Sequence, residues 1–162
     1  MKSDKIVLFI TIFSLLTSCS KAEYSHDRDC DDVLENIKNL PSISQEYEEY
    51  DDEFVNFFLP NSPSFDDFEV IYSTSTNDIT EIGLFRFAST EDAISMENVL
   101  NNYISETQSN QRAFIASYAP NEISKLDKAE VRRFGHYTVY AIIAPDEKED
   151  LFEQIEKELK AT

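Results

Sequence analysis

The pattern of hydrophobic and polar positions predicts eight elements of secondary structure after an apolar start. Two short helices come first: one has its apolar side chains on one face over residues 32–40, and the other runs over residues 54–59 to Pro60. Residues 68–76 and 81–88 are rich in β-branched and aromatic types, and turn residues separate them. These two segments are predicted to pair as an antiparallel hairpin.

A long helix, a second hairpin and a last helix follow. Ser89 or Thr90 can cap a helix of roughly seven turns that Pro120 ends. Residues Glu130 to Phe134 and Tyr137 to Ala144 flank a Gly135-His136 turn and predict the second hairpin. The inward stripe of the long helix is predicted to contain Ala93, Met96, Val99, Leu100, Tyr103, Thr107, Phe114 and Tyr118, and that of the last helix Leu151, Phe152, Ile155 and Leu159.

The element order α-α-β-β-α-β-β-α predicts an α+β fold. We expect an antiparallel sheet of about four strands with the long and the C-terminal helix on one face. The strands are apolar on both sides, since Phe85 and Phe87 alternate with Ile82 and Leu84, whereas a sheet with one solvated face alternates cleanly. The second face therefore needs a cover. Coverage by residues 32–59 is favoured over coverage by an oligomer or a partner protein. The expected core residues of this segment are Val33, Leu34, Ile37, Phe54, Phe57 and Phe58.

The first residues have the pattern of an export signal. Two lysines precede an apolar run over residues 6–16, which is shorter than the ~20 residues of a membrane-spanning helix. Leu16-Thr17-Ser18-Cys19 has the pattern of a bacterial lipobox. We therefore expect cleavage between Ser18 and Cys19 and a diacylglyceryl group on Cys19, with acyl chains such as palmitate as the anchor. An ordinary secretory signal cut at a small residue is the alternative.

The expected organisation is a signal peptide over residues 1–18, a flexible acidic tether over 19–31 and a single α+β domain over 32–162. The net charge of −18 argues against binding of nucleic acid or of anionic lipid through bulk charge. We therefore expect that the lipid anchor alone attaches the protein to the membrane. The domain would lie on the extracytoplasmic face of the cell membrane.

Cysteines and acidic clusters predict neither a disulfide framework nor a metal site. If Cys19 is acylated, Cys30 has no intramolecular partner. Cys30 with His26 and two neighbouring aspartates is a weak metal pattern, and a solvated linker is the better interpretation. The acidic residues 46–53 lack the alternating Asp/Asn spacing and the central glycine of a known calcium loop. We expect no metal and no cofactor.

No catalytic constellation is apparent in the sequence. The one histidine of the expected domain, His136, lies in a predicted turn. Hydroxyls, an amide and carboxylates converge at Glu81 and the loop of residues 73–80, where a small polar ligand could bind, although hairpin turns are made of the same residue types. We expect a binding or accessory module without catalysis. The alternative is a cell-envelope hydrolase with paired carboxylates.

Several short motifs together resemble a known family. They are Tyr72-Ser73-Thr74-Ser75, Glu81-Ile82-Gly83-Leu84-Phe85-Arg86, Tyr118-Ala119-Pro120-Asn121-Glu122 and Gly135-His136-Tyr137, in this order and spacing. Over roughly residues 33–159 the chain resembles the exported bacterial lipoproteins classed as domain of unknown function 4358. Members usually have Lys where Arg86 stands and a long helix richer in alanine and lysine. The resemblance implies a lipid-anchored domain, most often in low-GC Gram-positive bacteria, and supplies no activity or functional residue.

Overall fold

The structure is a computed structural model that describes residues 23–37, 40–41, 43 and 46–160. The expected signal peptide, its Ser18-Cys19 cleavage position and the lipidation residue Cys19 lie outside the described residues. The elements in chain order are α1 (Cys30–Ile37), β1 (Tyr47–Glu49), α2 (Asp52–Phe58), β2 (Asp67–Ser73), β3 (Glu81–Arg86), α3 (Thr90–Tyr118), a 3₁₀ turn (Pro120–Glu122), α4 (Ile123–Asp127), β4 (Glu130–Phe134), β5 (Tyr137–Ile142) and α5 (Lys148–Leu159).

The strands form one antiparallel sheet in the order β1-β2-β3-β5-β4, which confirms the α+β class. The sheet has five strands rather than about four. The additional strand is β1, an edge strand of three residues of which two are exposed. It lies in the acidic stretch after Glu46, where so short a segment has no detectable alternation of polar and apolar residues.

Both hairpins form where they were predicted. Ser73 at the end of β2 donates its backbone N–H to the carbonyl of Thr80 across the first loop. Gly135 has a positive φ of 61° at the first position of the second turn, a conformation that glycine adopts without steric cost.

The helices are divided between the two faces of the sheet. One buried cluster joins α1 and α5 to Ile82 and Leu84 of β3 and to Val139 of β5. The other joins α2, α3 and α4 to Phe85 and Tyr140, which point to the opposite face. The long and the C-terminal helix therefore lie on opposite faces, which corrects the expectation that they share one. Both faces of β3 and β5 are apolar, so each face requires its own cover.

Residues 32–59 contribute to both covers. Val33, Leu34 and Ile37 are buried beside α5, whereas Val55 and Leu59 are buried beside α3. Part of the expected core of this segment is wrong, because Phe57 is 77% exposed and Phe58 is 39% exposed. The side chain of Phe54 lies outside the described part.

Helix α3 begins and ends as its sequence predicts. Ser89 is the N-cap, and its Oγ accepts the backbone N–H of Asp92 at 3.1 Å. The inward face is correct for Ala93, Met96 and Leu100. It is wrong for Phe114 and Tyr118, which are 68% and 41% exposed, whereas Ile115 is buried. Successive residues are rotated by about 100° around a helix axis. A small error in the assumed helical period, accumulated over several turns, therefore places Phe114 on the inward face instead of Ile115.

Residues 23–29, which we call the N-terminal segment, contact the domain although the sequence assigns them to the tether. Ser25 donates its backbone N–H to the carbonyl of Leu159 at 2.8 Å. Arg28 donates its backbone N–H to the Tyr137 hydroxyl at 2.9 Å, and its guanidinium lies 2.9 Å from Glu158. The chain thus enters the fold beside the end of α5. None of the helices in the described part is both long and apolar enough to cross a membrane.

Leu100→Ala and Phe114→Ala test the orientation of α3. Leu100 is fully buried, so its truncation should lower the free energy of unfolding by about 2–5 kcal/mol. Phe114→Ala should change it by about 0.5 kcal/mol or less, because surface substitutions have small effects. Urea denaturation of both variants measures the difference. Equal losses of stability would show that the face of α3 is assigned wrongly.

Candidate functional site

A groove of about 180 Å³ opens between the β2–β3 loop and the second half of α3. We call it the tyrosine groove, because its lining includes Tyr50, Tyr72, Tyr103 and Tyr118. Glu81, the first residue of β3, also lines it. The site therefore lies at one end of a central strand, where a loop, a helix and the sheet meet.

The carboxylate of Glu81 accepts three tyrosine hydroxyls. Tyr140 and Tyr103 donate to Oε1 at 2.7 and 2.8 Å, and Tyr50 donates to Oε2 at 3.2 Å. Burial raises the pKa of Glu81, and the three hydroxyl donors oppose that shift in part. Burial next to this carboxylate also raises the pKa of each of the three tyrosines, so the phenols keep their protons and remain donors.

Gly83 makes room for one of these tyrosines. It pairs with Tyr140 across β3 and β5, and a Cβ on Gly83 would collide with the Tyr140 ring at Cε1. The ring therefore lies over the glycine, and its hydroxyl reaches Glu81 two residues earlier on β3. The glycine serves a close approach of side chain to backbone rather than a turn.

The β2–β3 loop is held by a charged cluster beside the groove. Asp78 Oδ1 accepts the backbone N–H and the hydroxyl of Thr80 at 2.9 and 2.7 Å. Lys125 of α4 lies 2.7 Å from Asp78 and 2.6 Å from Glu122, and both partners are largely buried. Burial alone would raise the pKa of Asp78, but the hydrogen bonds from Lys125 and Thr80 bring that pKa down to about 2. The cluster fixes the loop against α4.

Aromatic rings line the groove and pack beside it. The rings of Tyr50 and Tyr72 stack with centroids 4.2 Å apart, and Phe58 of α2 stacks on Tyr50 at 6.0 Å. Tyr103 meets Tyr140 edge to face at 5.8 Å. The groove thus combines aromatic rings and hydroxyl groups with one carboxylate, the composition of a site that holds a small polar molecule.

The structure brings together the residues that the sequence singled out around Glu81. Ser73, Asp78 and Thr80 line the groove with it. The sequence did not indicate the tyrosines, because they come from the segment before α2, from α3 and from β5, as many as 59 positions away from Glu81.

The other residues considered from the sequence lie elsewhere. The thiol of Cys30 is buried in the core at the start of α1, and burial raises its pKa. His26 packs edge to face on His136 at 4.2 Å, at the opposite end of β3 from Glu81. Among the described residues, Asp31, Glu49 and Glu69 form a group whose carboxylate oxygens lie within 4.8 Å of one another. This acidic group is separate from the groove.

Fold and groove together define an α+β domain on a five-stranded antiparallel sheet, with a tyrosine-lined site at one end of its central strands. The chain belongs to the family described as Domain of unknown function (DUF4358), which matches residues 42–143. The matched range contains all the described residues of the groove and ends directly after β5. No match was found among curated proteins or among solved structures.

Gly83→Ala tests the contact between Gly83 and Tyr140. We expect the free energy of unfolding to fall by about 1–3 kcal/mol, because the added methyl group displaces the Tyr140 ring from a packed core. The same change in a Tyr140→Leu background should cost less, since the colliding ring is gone. A double-mutant cycle by chemical denaturation measures the coupling. If Gly83→Ala lowers the free energy of unfolding equally in the two backgrounds, the close contact with Tyr140 is not the reason for a glycine at this position.

Proposed function

We propose that the protein is a lipid-anchored extracytoplasmic lipoprotein that acts as a binding module without catalytic activity, and that the tyrosine groove holds its ligand. The observation that carries this proposal is the carboxylate of Glu81, which three tyrosine hydroxyls orient at the wall of the groove. A carboxylate kept at a groove in a fixed orientation offers a specific polar contact to a small molecule.

The rigidity of the surroundings supports binding. Lys125 ties the β2–β3 loop to α4 through Asp78 and Thr80, and Tyr103 ties α3 to Glu81. The walls are thus in place before a ligand arrives, and little ordering is needed on binding. Both groove carboxylates already accept several hydrogen bonds, which favours a role in holding a ligand over attack on a substrate.

The lipobox and the charge of the chain support the anchored location. Two acyl chains on Cys19 are sufficient for stable attachment to a bilayer. The net charge of −18 disfavours contact of the domain itself with an anionic surface. The anchor would therefore keep the protein at the membrane, while the domain itself would not contact the bilayer surface.

A carboxylate hydrolase is the second candidate, and one observation favours it. Asp78 and Glu81 line the same groove, and their environments shift the pKa of Glu81 upward and the pKa of Asp78 down to about 2. Such a separation is how enzymes assign an acid and a base to two carboxyl groups. Two contacts argue against a hydrolase: Asp78 is paired with Lys125, and tyrosine hydroxyls donate hydrogen bonds to Glu81.

Cys19→Ala tests the anchor. The variant should leave the membrane fraction or accumulate as an uncleaved precursor, because the thiol that takes the diacylglyceryl group is absent. Cell fractionation and metabolic labelling with a fatty acid analogue measure both effects. Cys30→Ala is the matched control and should retain label and anchoring. Unchanged lipid labelling of Cys19→Ala would refute the lipobox.

A fragment screen by NMR on the purified protein tests the groove. Small polar compounds that bind should shift amide signals around Glu81, and Tyr72→Ala should weaken that response because it removes one wall. The same compounds joined through ester or glycosidic bonds should remain intact. If the unchanged protein hydrolyses these compounds and the variants Glu81→Gln and Asp78→Asn do not, the protein is the carboxylate hydrolase rather than a binding module.

A further inference from the structure

We propose that the ligand of the tyrosine groove is a small organic ammonium ion that carries N–H bonds, such as a short primary amine. This inference rests on the proposed binding function and names its ligand class. Four features of the groove support it: its charge, its ring faces, the acceptor capacity of Glu81 and its size.

The charge of the groove favours a cation. Asp78 and Glu81 line it, whereas none of the described lining residues is basic. Lys125, the neighbouring ammonium group, lies between the carboxylates of Asp78 and Glu122 at 2.7 and 2.6 Å. Its charge is therefore already balanced. An anionic ligand would meet the carboxylate of Glu81 with no available counter-charge among the described lining residues, in a chain of net charge −18.

The ring faces favour the same ligand. Tyr72, Tyr103 and Tyr118 line the groove, and Tyr50, which also lines it, stacks on Tyr72 and on Phe58. An ammonium group within about 6 Å of an aromatic centroid is attracted by the negative face of the ring. This attraction adds to that of the Glu81 carboxylate.

The acceptor capacity of Glu81 favours an N–H donor over a quaternary cation. A carboxylate has about four acceptor positions on its two oxygens. The hydroxyls of Tyr50, Tyr103 and Tyr140 occupy three of them. One position remains for a further donor. A primary ammonium group supplies an N–H donor for this position, which a quaternary ammonium ion cannot do.

The size of the groove restricts the ligand. Its volume of about 180 Å³ is below the ~300–1,000 Å³ of pockets for drug-sized compounds. An ammonium head with a short carbon chain fits this space. The ammonium group could belong to a dissolved amine or to a lipid head group.

Binding should be linked to the protonation of Glu81. Burial raises the pKa of this carboxyl group, and a bound ammonium ion stabilises its charged form. Affinity should therefore increase as the pH rises through the pKa of Glu81, with release of a proton on binding below that range. The titratable and charged groups packed around Glu81 are Tyr50, Tyr72, Tyr103 and Tyr140, with Asp78, Lys125 and Glu122 beside the groove.

The test is a matched set of probes titrated into the purified full chain and followed by NMR. Ethanolamine, ethylene glycol and glycolate have similar size and differ in charge, and tetramethylammonium lacks N–H. Ethanolamine should shift groove amides at the lowest concentration. Vesicles that contain phosphatidylethanolamine, compared with phosphatidylglycerol vesicles, distinguish the head-group source from the dissolved amine.

Three variants make the test specific. Glu81→Gln should weaken ethanolamine binding by about tenfold or more, because it removes a charged acceptor. Glu106→Gln removes the same charge from an exposed position of α3 and should bind as the unchanged protein does. Should Glu81→Gln not fold, Tyr72→Ala removes a ring from the groove lining instead and should also weaken ethanolamine binding. Calorimetry at a pH below the pKa of Glu81, in buffers of different ionisation enthalpy, should show proton release with the unchanged protein and none with Glu81→Gln.

Two results would overturn the inference, and they differ in what they say of the proposed function. If ethylene glycol or glycolate shifts the groove amides as strongly as ethanolamine, the ligand is not an ammonium ion, and the binding function stands. If no probe shifts any groove amide and the fragment screen also finds nothing, the binding function fails with it.

Discussion

The burial of β3 and β5 on both faces is the constraint on which the rest of the structure depends. Ile82 and Leu84 point to one side, while Phe85 points to the other. A sheet of this kind is stable only when two separate layers cover it. The chain supplies them by dividing its helices, with α1 and α5 on one face and α2, α3 and α4 on the other. The short N-terminal helices are therefore part of the core.

The tyrosine groove arises where this two-sided packing ends. At the start of β3 the sheet no longer presents a continuous apolar surface, and the polar residue Glu81 occupies that boundary. Its position is compatible with folding because tyrosines from three parts of the chain donate hydrogen bonds to it, which offsets the cost of removing a carboxyl group from water. Gly83 completes the arrangement by leaving the space that the Tyr140 ring fills.

The features of this fold that depend on neighbouring residues were predictable from the sequence, whereas those that depend on contacts between distant segments were not. The cap at Ser89, the turn at Gly135 and the hairpin around the β2–β3 loop depend on a few neighbouring residues, and the structure confirms them. Which face a helix covers depends on packing between distant segments, so the common face assigned to α3 and α5 was wrong. The site was predictable only to the level of Glu81 and its loop, because no sequence period connects Glu81 with Tyr140.

If the protein is anchored through Cys19, the path of its chain favours one orientation of the domain. The N-terminal segment enters at the far end of β3 from the groove, where the Arg86 guanidinium donates to the carbonyl of Arg28. A strand of six residues separates these ends by about 17 Å. In a protein tethered through Cys19, the groove would thus open on the membrane-distal side of the domain. Molecules arriving from outside the cell would reach it first, and head groups of the protein's own bilayer would be the least accessible source of ligand.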